Sequence, residues 1–330
     1  VADRWRAALD TLGGGVAPWR PAFLIYRAFA LSTMRPLRSG VEEPEMAGAL
    51  AWIEYMAYAK TGDDRYRIAA EWAMEFLDGW KSNPSYELQL PYGALAAARM
   101  NAELGTAYDV EKMVNWSFEM GALRGWGTVV GTWGGYSASG LVGEIQDEDY
   151  AFVLNGFQQA AALVPLVRYD DRFARAIGRW MLHLTSASRL FYHPYLPADH
   201  QDGEAWAEVH DPDGVIAYEA LRERAGSTRP FATGDALRGG WAATNLSLYS
   251  SSSAGYLAAL VDTTDVEGIL QLDLGATDFF ASDSYASYLY YNPYSTAQTV
   301  AVALPAGTFA LYDAAADAFF IRGVQGTASI

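Results

Sequence analysis

TGDDRYRIAAEWAMEFL (residues 61–77) and RYDDRFARAIGRWMLHL (residues 168–184) decide the fold class of this chain. Each opens on paired aspartates, Asp63-Asp64 and Asp170-Asp171. A carboxylate in that position accepts from free main-chain amides and faces the positive end of a helix. Apolar positions then recur at helical spacing: Tyr66, Ala69, Ala70, Ala73, Phe76 and Leu77 in the first copy, Phe173, Ile177, Trp180 and Leu184 in the second. A weaker third copy starts at Asp109 in GTAYDVEKMVNWSFEM.

Another helical pattern precedes each copy. Met46, Ala49, Leu50, Ile53, Met56 and Ala57 precede the first. Trp52 and Tyr55 make that helix apolar nearly all round, as in a buried helix. PYGALAAARMNAELG precedes Asp109, and DYAFVLNGFQQAAALVPLVR precedes Asp170. The repeating unit is a helix, a short turn and a helix begun by Asp. Hairpins of this kind need their neighbours to bury their faces, so residues 1–264 are expected to form an α/α toroid or solenoid. The repeat is stretched between Asp109 and Asp170 by residues 121–148, and residues 186–244 form a second irregular stretch. Long loops in a compact domain are often functional.

After about residue 265 the pattern changes. GILQLDL, SYLYYN, TVAVAL, TFALYDA and AFFIRGV are strand-like runs separated by turn residues. They predict a mainly α protein with a small C-terminal antiparallel β-sandwich-like domain over 265–330. QGTASI ends the sequence within a strand-like run, which reads as a truncated domain. The start on Val1 fits a trimmed secreted protein or an excised domain, so an extracellular or periplasmic location is expected, with the cytoplasm as the alternative.

A net charge of −16 argues against nucleic acid and against anionic membrane surfaces, both of which need a basic face. No run approaches the length of a membrane span. With no cysteine, disulfides, thiolate nucleophiles and zinc–thiolate sites are excluded. The chain has 11 Trp, 21 Tyr and 14 Phe, many of them in Gly/Ser-rich segments rather than on periodic faces. Sugar rings stack their apolar faces on such residues, and the plain alternative is a large core with rim aromatics.

Three constellations could carry chemistry. In GLVGEIQDEDYAFVLNGF (140–157), Glu144, Asp147, Glu148 and Asp149 crowd the start of an expected helix beside Trp126, Trp133 and Tyr136. Capping would explain one or two of these acids, but not four. RLFYHPYLPADHQDGEAWAEVHDPDG (189–214) carries Tyr192, His193, Tyr195, Glu204 and Asp211. DHQDGE and DPDG have the oxygen density of a calcium loop but miss the twelve-residue pattern, so no cofactor or metal is expected, with calcium the one alternative. A surface loop of Asx turns explains that stretch equally. The third, TGDALRGGWAATNLSLYSS (233–251), holds Asp235, Arg238 and Trp241 in a Gly-Gly-Trp turn.

DEDYAFVLNGFQQAAALVPLVRYDDRF is similar to the Asp-containing helix of α/α-toroid glycoside hydrolases, nearest to the unsaturated glucuronyl and unsaturated rhamnogalacturonyl hydrolases. RLFYHPYLP resembles their segment in which a His follows LFY, and ALRGGW resembles a shortened form of their Arg-Gly-x-Gly-Trp turn. The resemblance spans roughly residues 45–260 and does not include the β domain. It implies a carbohydrate ligand, Asp149 as the catalytic aspartate with Asp147 its near competitor, His193 at the sugar, and sugar binding at Arg238 and Trp241.

The leading expectation is therefore a glycoside hydrolase with Asp149 as general acid/base and a second carboxylate from Glu144, Asp147, Glu204 or Asp211. Trp126, Trp133, Tyr136 and Tyr192 would line the sugar. A polysaccharide lyase, with His193 beside Tyr192 or Tyr195 as base, is the first alternative. A non-catalytic glycan-binding module is the second.

Overall fold

In the computed structural model, residues 1–37, 40–146, 149–234, 251–281 and 285–330 are described. Helices α1 (Ala2–Thr11), α2 (Met46–Thr61), α3 (Asp64–Gly79), α4 (Gln89–Leu104), α5 (Val110–Phe118), α6 (Val153–Leu166), α7 (Ala174–Ser188), α8 (Glu204–His210) and α9 (Ala254–Leu260) carry most of the core. Strands fall into small antiparallel sheets, so the chain is a mainly α protein with a β part.

The hairpin unit read from the sequence is present. Gly62 ends α2 in the left-handed conformation at φ 69° and ψ 11°. Asp63 then caps α3 by accepting from the Arg65 amide at 2.9 Å. Asp109 caps α5 through the Lys112 amide at 2.9 Å. The copy that starts at Asp170 differs. Asp170 leads into a 3-10 turn, Asp171–Phe173, and its carboxylate is taken by the Arg172 guanidinium at 2.6 Å instead of by helix amides.

The helices make two ranks. Helices α2, α4, α6 and α9 pack side by side in that order. Helix α3 covers α2, α5 covers α4, α7 covers α6, and α1 lies on α2 and α3. Helices α2 and α4 cross at two glycines: a Cβ on Gly93 would meet the Gly48 Cα at 2.7 Å, so neither position admits a side chain. The Tyr92 ring of α4 lies 4.9 Å from Trp52 of α2, and its hydroxyl donates to Gln158 of α6 at 2.8 Å.

The strands are β1 (Gly15–Val16), β2 (Trp19–Arg20), β3 (Ala28–Ala30), β4 (Arg35–Leu37), β5 (Trp126–Thr128), β6 (Thr132–Trp133), β7 (Tyr136–Ser137), β8 (Val142–Glu144), β9 (Tyr150–Phe152), β10 (Ala220–Arg222), β11 (Phe231–Thr233), β12 (Val261–Thr263), β13 (Leu270–Asp273), β14 (Tyr288–Tyr290), β15 (Ala301–Ala303), β16 (Phe309–Asp313), β17 (Ala318–Val324) and β18 (Thr327–Ser329). Five form one sheet in the order β11-β10-β9-β8-β5, built from the two long irregular stretches. The strands read after residue 265 are all present, as sheets β12-β13-β14, β15-β18 and β16-β17.

The segment after β13 locks onto the C-terminal ends of the row. Asp278 accepts from Arg99 at 3.2 Å, from Tyr169 at 2.7 Å and from Arg168. Thr277 donates to the Ala161 carbonyl at 2.7 Å. Both Arg99 and Asp278 are buried, so the pair is screened little by solvent.

Candidate functional site

Gly48 and Tyr55 of α2 meet Gly93 and Glu103 of α4 in the same order, and Asp278 joins Arg99 of α4 to Arg168 just beyond α6, so α2, α4 and α6 point the same way. The segments preceding them, 43–45, 85–88 and 149–152, therefore meet at one end of the row. The five-stranded sheet closes on that same end.

Its register decides which side chains converge. Trp126, Glu144, Tyr150, Arg222 and Phe231 are directly paired across the strands. Directly opposite residues share a face, so these five form one row. The next row has Gly127, Gly143, Ala151, Leu221 and Ala232, small residues that face the helical core. Gly143 is required there, because a Cβ would stand 1.9 Å from the Tyr150 carbonyl oxygen.

The first acid group lies on β8, β9 and the end of β10. Asp149 precedes strand β9, not the helix, which starts only at Val153. It does not cap α6; the Asp149 backbone takes φ 42°, an unusual value for a residue with a side chain. Such outliers persist where surroundings over-determine them. Burial raises the Asp149 pKa, and the neighbouring Glu223 and Glu144 carboxylates raise it further. The contact between the Asp149 and Glu223 side chains adds to that rise. Glu223 also pairs with Arg229, and the Glu223 amide donates to the Asp149 carbonyl at 2.7 Å. Glu144 accepts from the Gln146 amide at 2.8 Å.

The second acid group lies before α2 and α4. Glu43 is buried between two guanidinium groups, Arg124 at 3.0 Å and Arg27 at 3.4 Å. Arg124 stacks on Tyr86, its guanidinium carbon 3.6 Å from the ring centre. The loop carrying Arg124 is anchored by Asn83, which donates to the Trp116 and Glu119 carbonyls at 3.1 Å each. Glu45 is almost wholly buried and its pKa is pushed up to about 9, chiefly by burial. Glu87, beside Tyr86, holds φ 51°. Asp149 and Glu87 are thus both acids in left-handed backbone just before the inner helices α6 and α4.

Aromatic rings bridge the two groups. Tyr86, Trp126 and Tyr150 touch edge to face with centroid steps of 5.4 and 5.9 Å. Trp126 is buried within this strip, so it is a wedge between the acid groups rather than an open stacking platform.

The other expected residues divide. Asp147, Arg238 and Trp241 lie outside the described residues. Trp133 is buried in the main core, with Tyr136 packed at its edge and tilted against His200 at 6.1 Å. Tyr192 packs against the same core. His193 donates from Nε2 to the Asp211 carbonyl at 2.7 Å, and Gln201 donates to the His193 carbonyl at 3.1 Å. Gln201 in turn bridges Ala232 on β11. Three strand spacings separate β11 from β8 and the Gln201 bridge adds a fourth, so Gln201 stands about 19 Å across the sheet from Glu144. Glu204 sits on α8 near His193, where a hydrogen bond with Glu208 raises its pKa. Both Asp211 oxygens accept main-chain amides, Val215 at 3.0 Å and Ile216 at 2.8 Å. That makes Asp211 the organiser of a turn. The structure therefore joins Glu144, Asp149 and Trp126 and leaves His193, Tyr192 and Glu204 at the far edge.

Glu43, Glu45, Glu87, Glu223 and Tyr86 were not anticipated. EEPE (42–45) before an apolar helix was the available signal, and it reads locally as ordinary capping acids. Among the described residues no group of three His, Asp or Glu side chains is arranged to hold a metal ion. No described helix is long and apolar enough to cross a membrane. No family model, curated protein or solved structure matches this chain.

Proposed function

We propose that this chain is a glycoside hydrolase of α/α-toroid type, with a sandwich-like β unit over 265–330, acting on an oligo- or polysaccharide at the end of the inner helix row. The observation that carries this reading is the Asp149–Glu223 pair beside Glu144: three carboxyl groups crowded at one end of the row, where burial and the neighbouring charges raise the Asp149 pKa. A general acid needs that property at working pH. Asp149 protonates the glycosidic oxygen. Glu87, across the Tyr86–Trp126–Tyr150 strip, activates water or holds the developing positive charge. Ring stacking and neutral hydrogen bonds bind the sugar, and no cofactor is required.

The test is release of reducing ends from a panel of defined oligosaccharides by the wild type, Asp149→Asn and Glu223→Gln. Removing a general acid lowers turnover by about 10²–10⁴-fold. Glu223→Gln moves the basic limb of the pH profile to lower pH, because it removes a neighbouring charge that raises the Asp149 pKa. Full activity in Asp149→Asn refutes the assignment. A conjugated, ultraviolet-absorbing product points to elimination, the lyase chemistry, instead.

A further inference from the structure

Glu45 is the N-cap residue of α2, yet its side chain makes no capping bond. It is 1 % exposed, and neither carboxyl oxygen has a hydrogen-bond partner in another described residue. Buried polar atoms of folded proteins are nearly always satisfied, by protein, water or ligand. The charged groups that face it are Glu43, Glu87 and Arg124. Arg124 and Arg27 are already committed to Glu43, so no described cation is left over for Glu45.

The position is equally telling. Residues at i, i+4 and i+7 share a helix face, so Glu45 heads the stripe Ala49–Trp52 on α2. Ala49 and Trp52 are partly exposed. Trp52 meets Tyr92, and Tyr92 meets Gln158, so this stripe runs along the line of contact from α2 through α4 to α6. Glu45 thus stands where that aromatic face reaches the acid-rich end.

We infer that Glu45 is a sugar-binding residue that pairs with a hydroxyl of an uncharged sugar unit lying along Trp52. The inference rests on the carbohydrate reading above and narrows its substrate class. A neutral carboxyl group donates one hydrogen bond and accepts another, which matches a hydroxyl. A uronate is disfavoured here, because Glu43 and Glu87 repel it and both arginines are engaged.

Calorimetric titration of wild type, E45Q, E45A and E45M with neutral gluco-, xylo- and manno-oligosaccharides, and with oligogalacturonides, tests it. At least one neutral series binds wild type, and E45Q, which keeps a donor and an acceptor, binds within about 3-fold. E45A and the size-matched E45M weaken binding by about 10-fold or more while unfolding cooperatively. Wild-type binding falls as pH rises past about 9, where the Glu45 proton is lost, and E45Q binding does not. Equal binding by wild type, E45A and E45M overturns the role of Glu45, as does preference for oligogalacturonides. If wild type binds no sugar of the panel, the carbohydrate reading fails and this inference with it.

Discussion

Glu54→Gln tests the treatment of buried acids where no ligand enters. Glu54 lies in the middle of α2, wholly buried, with the Arg6 amide near it but neither oxygen in good hydrogen-bond geometry with a described residue. Burial pushes its pKa up from 4.5 to about 8; the Arg6 guanidinium and amide oppose the rise, and Asp3 adds to it. Below pH 4.5 the carboxyl group is protonated in the folded and unfolded chain alike, so pH has no effect through it. Between 4.5 and about 8 the unfolded chain has released the proton and the folded chain holds it, so stability falls as pH rises. The slope is about 1.4 kcal/mol per pH unit, and the whole window amounts to about 5 kcal/mol. That is a large fraction of the stability of an ordinary domain. Urea titrations between about pH 5.5 and 7.5 read the slope directly. Glu54→Gln removes about 1.4 kcal/mol per pH unit from it, because an amide does not titrate. Glu45 acts with the same sign up to about 9, so Glu45→Gln removes a similar amount. The two residues are about 13 Å apart along α2, so the double variant removes both contributions additively. Parallel stability–pH lines for wild type and Glu54→Gln refute the reasoning.

Asp278→Ala removes one of the two carboxylates that pair with the buried Arg99, leaving Glu103 at 3.2 Å, and also takes the acceptor of Arg168 and Tyr169, so stability falls by about 1–3 kcal/mol in urea titration. Asp278→Asn keeps the shape but not the charge and loses less. Gly143→Ala drives a methyl group into the Tyr150 carbonyl and parts β8 from β9, so amide exchange at 142–144 and 150–152 accelerates before the helices are affected.

The helical hairpins were legible because their signals are local. An αL glycine at 62, an aspartate at 63 and the apolar period that follows act within one turn, and nothing distant overrides them. The strand runs after residue 265 were legible for the same reason, since alternation and turn residues are short-range. The five-stranded sheet was not. Its strands of three residues come from segments as far apart as Trp126 and Thr233 and are too short to show alternation. Asp149 was therefore read as a helix start, although a strand intervenes.

The site divides along the same line. Glu144 and Asp149 were found because crowded acids exceed what capping needs, and the sheet brings them together. The rest of the site owes its character to burial, which a single sequence does not display. Glu45 looks like a cap in EEPE, and Glu223 sits in an ordinary charged run, LRER. Each becomes unusual only when packing removes its water. Glu54 did leave a trace, as the lone charge in ALAWIEYMAYA, a helix with no polar face to carry it. Applied consistently, that criterion separates acids by what surrounds them: an acid without a solvent-facing stripe must be buried, and a buried acid must find a cation, keep its proton or meet a ligand. Glu43 takes the first course, Glu54 the second, and Glu45, heading the Trp52 face, the third.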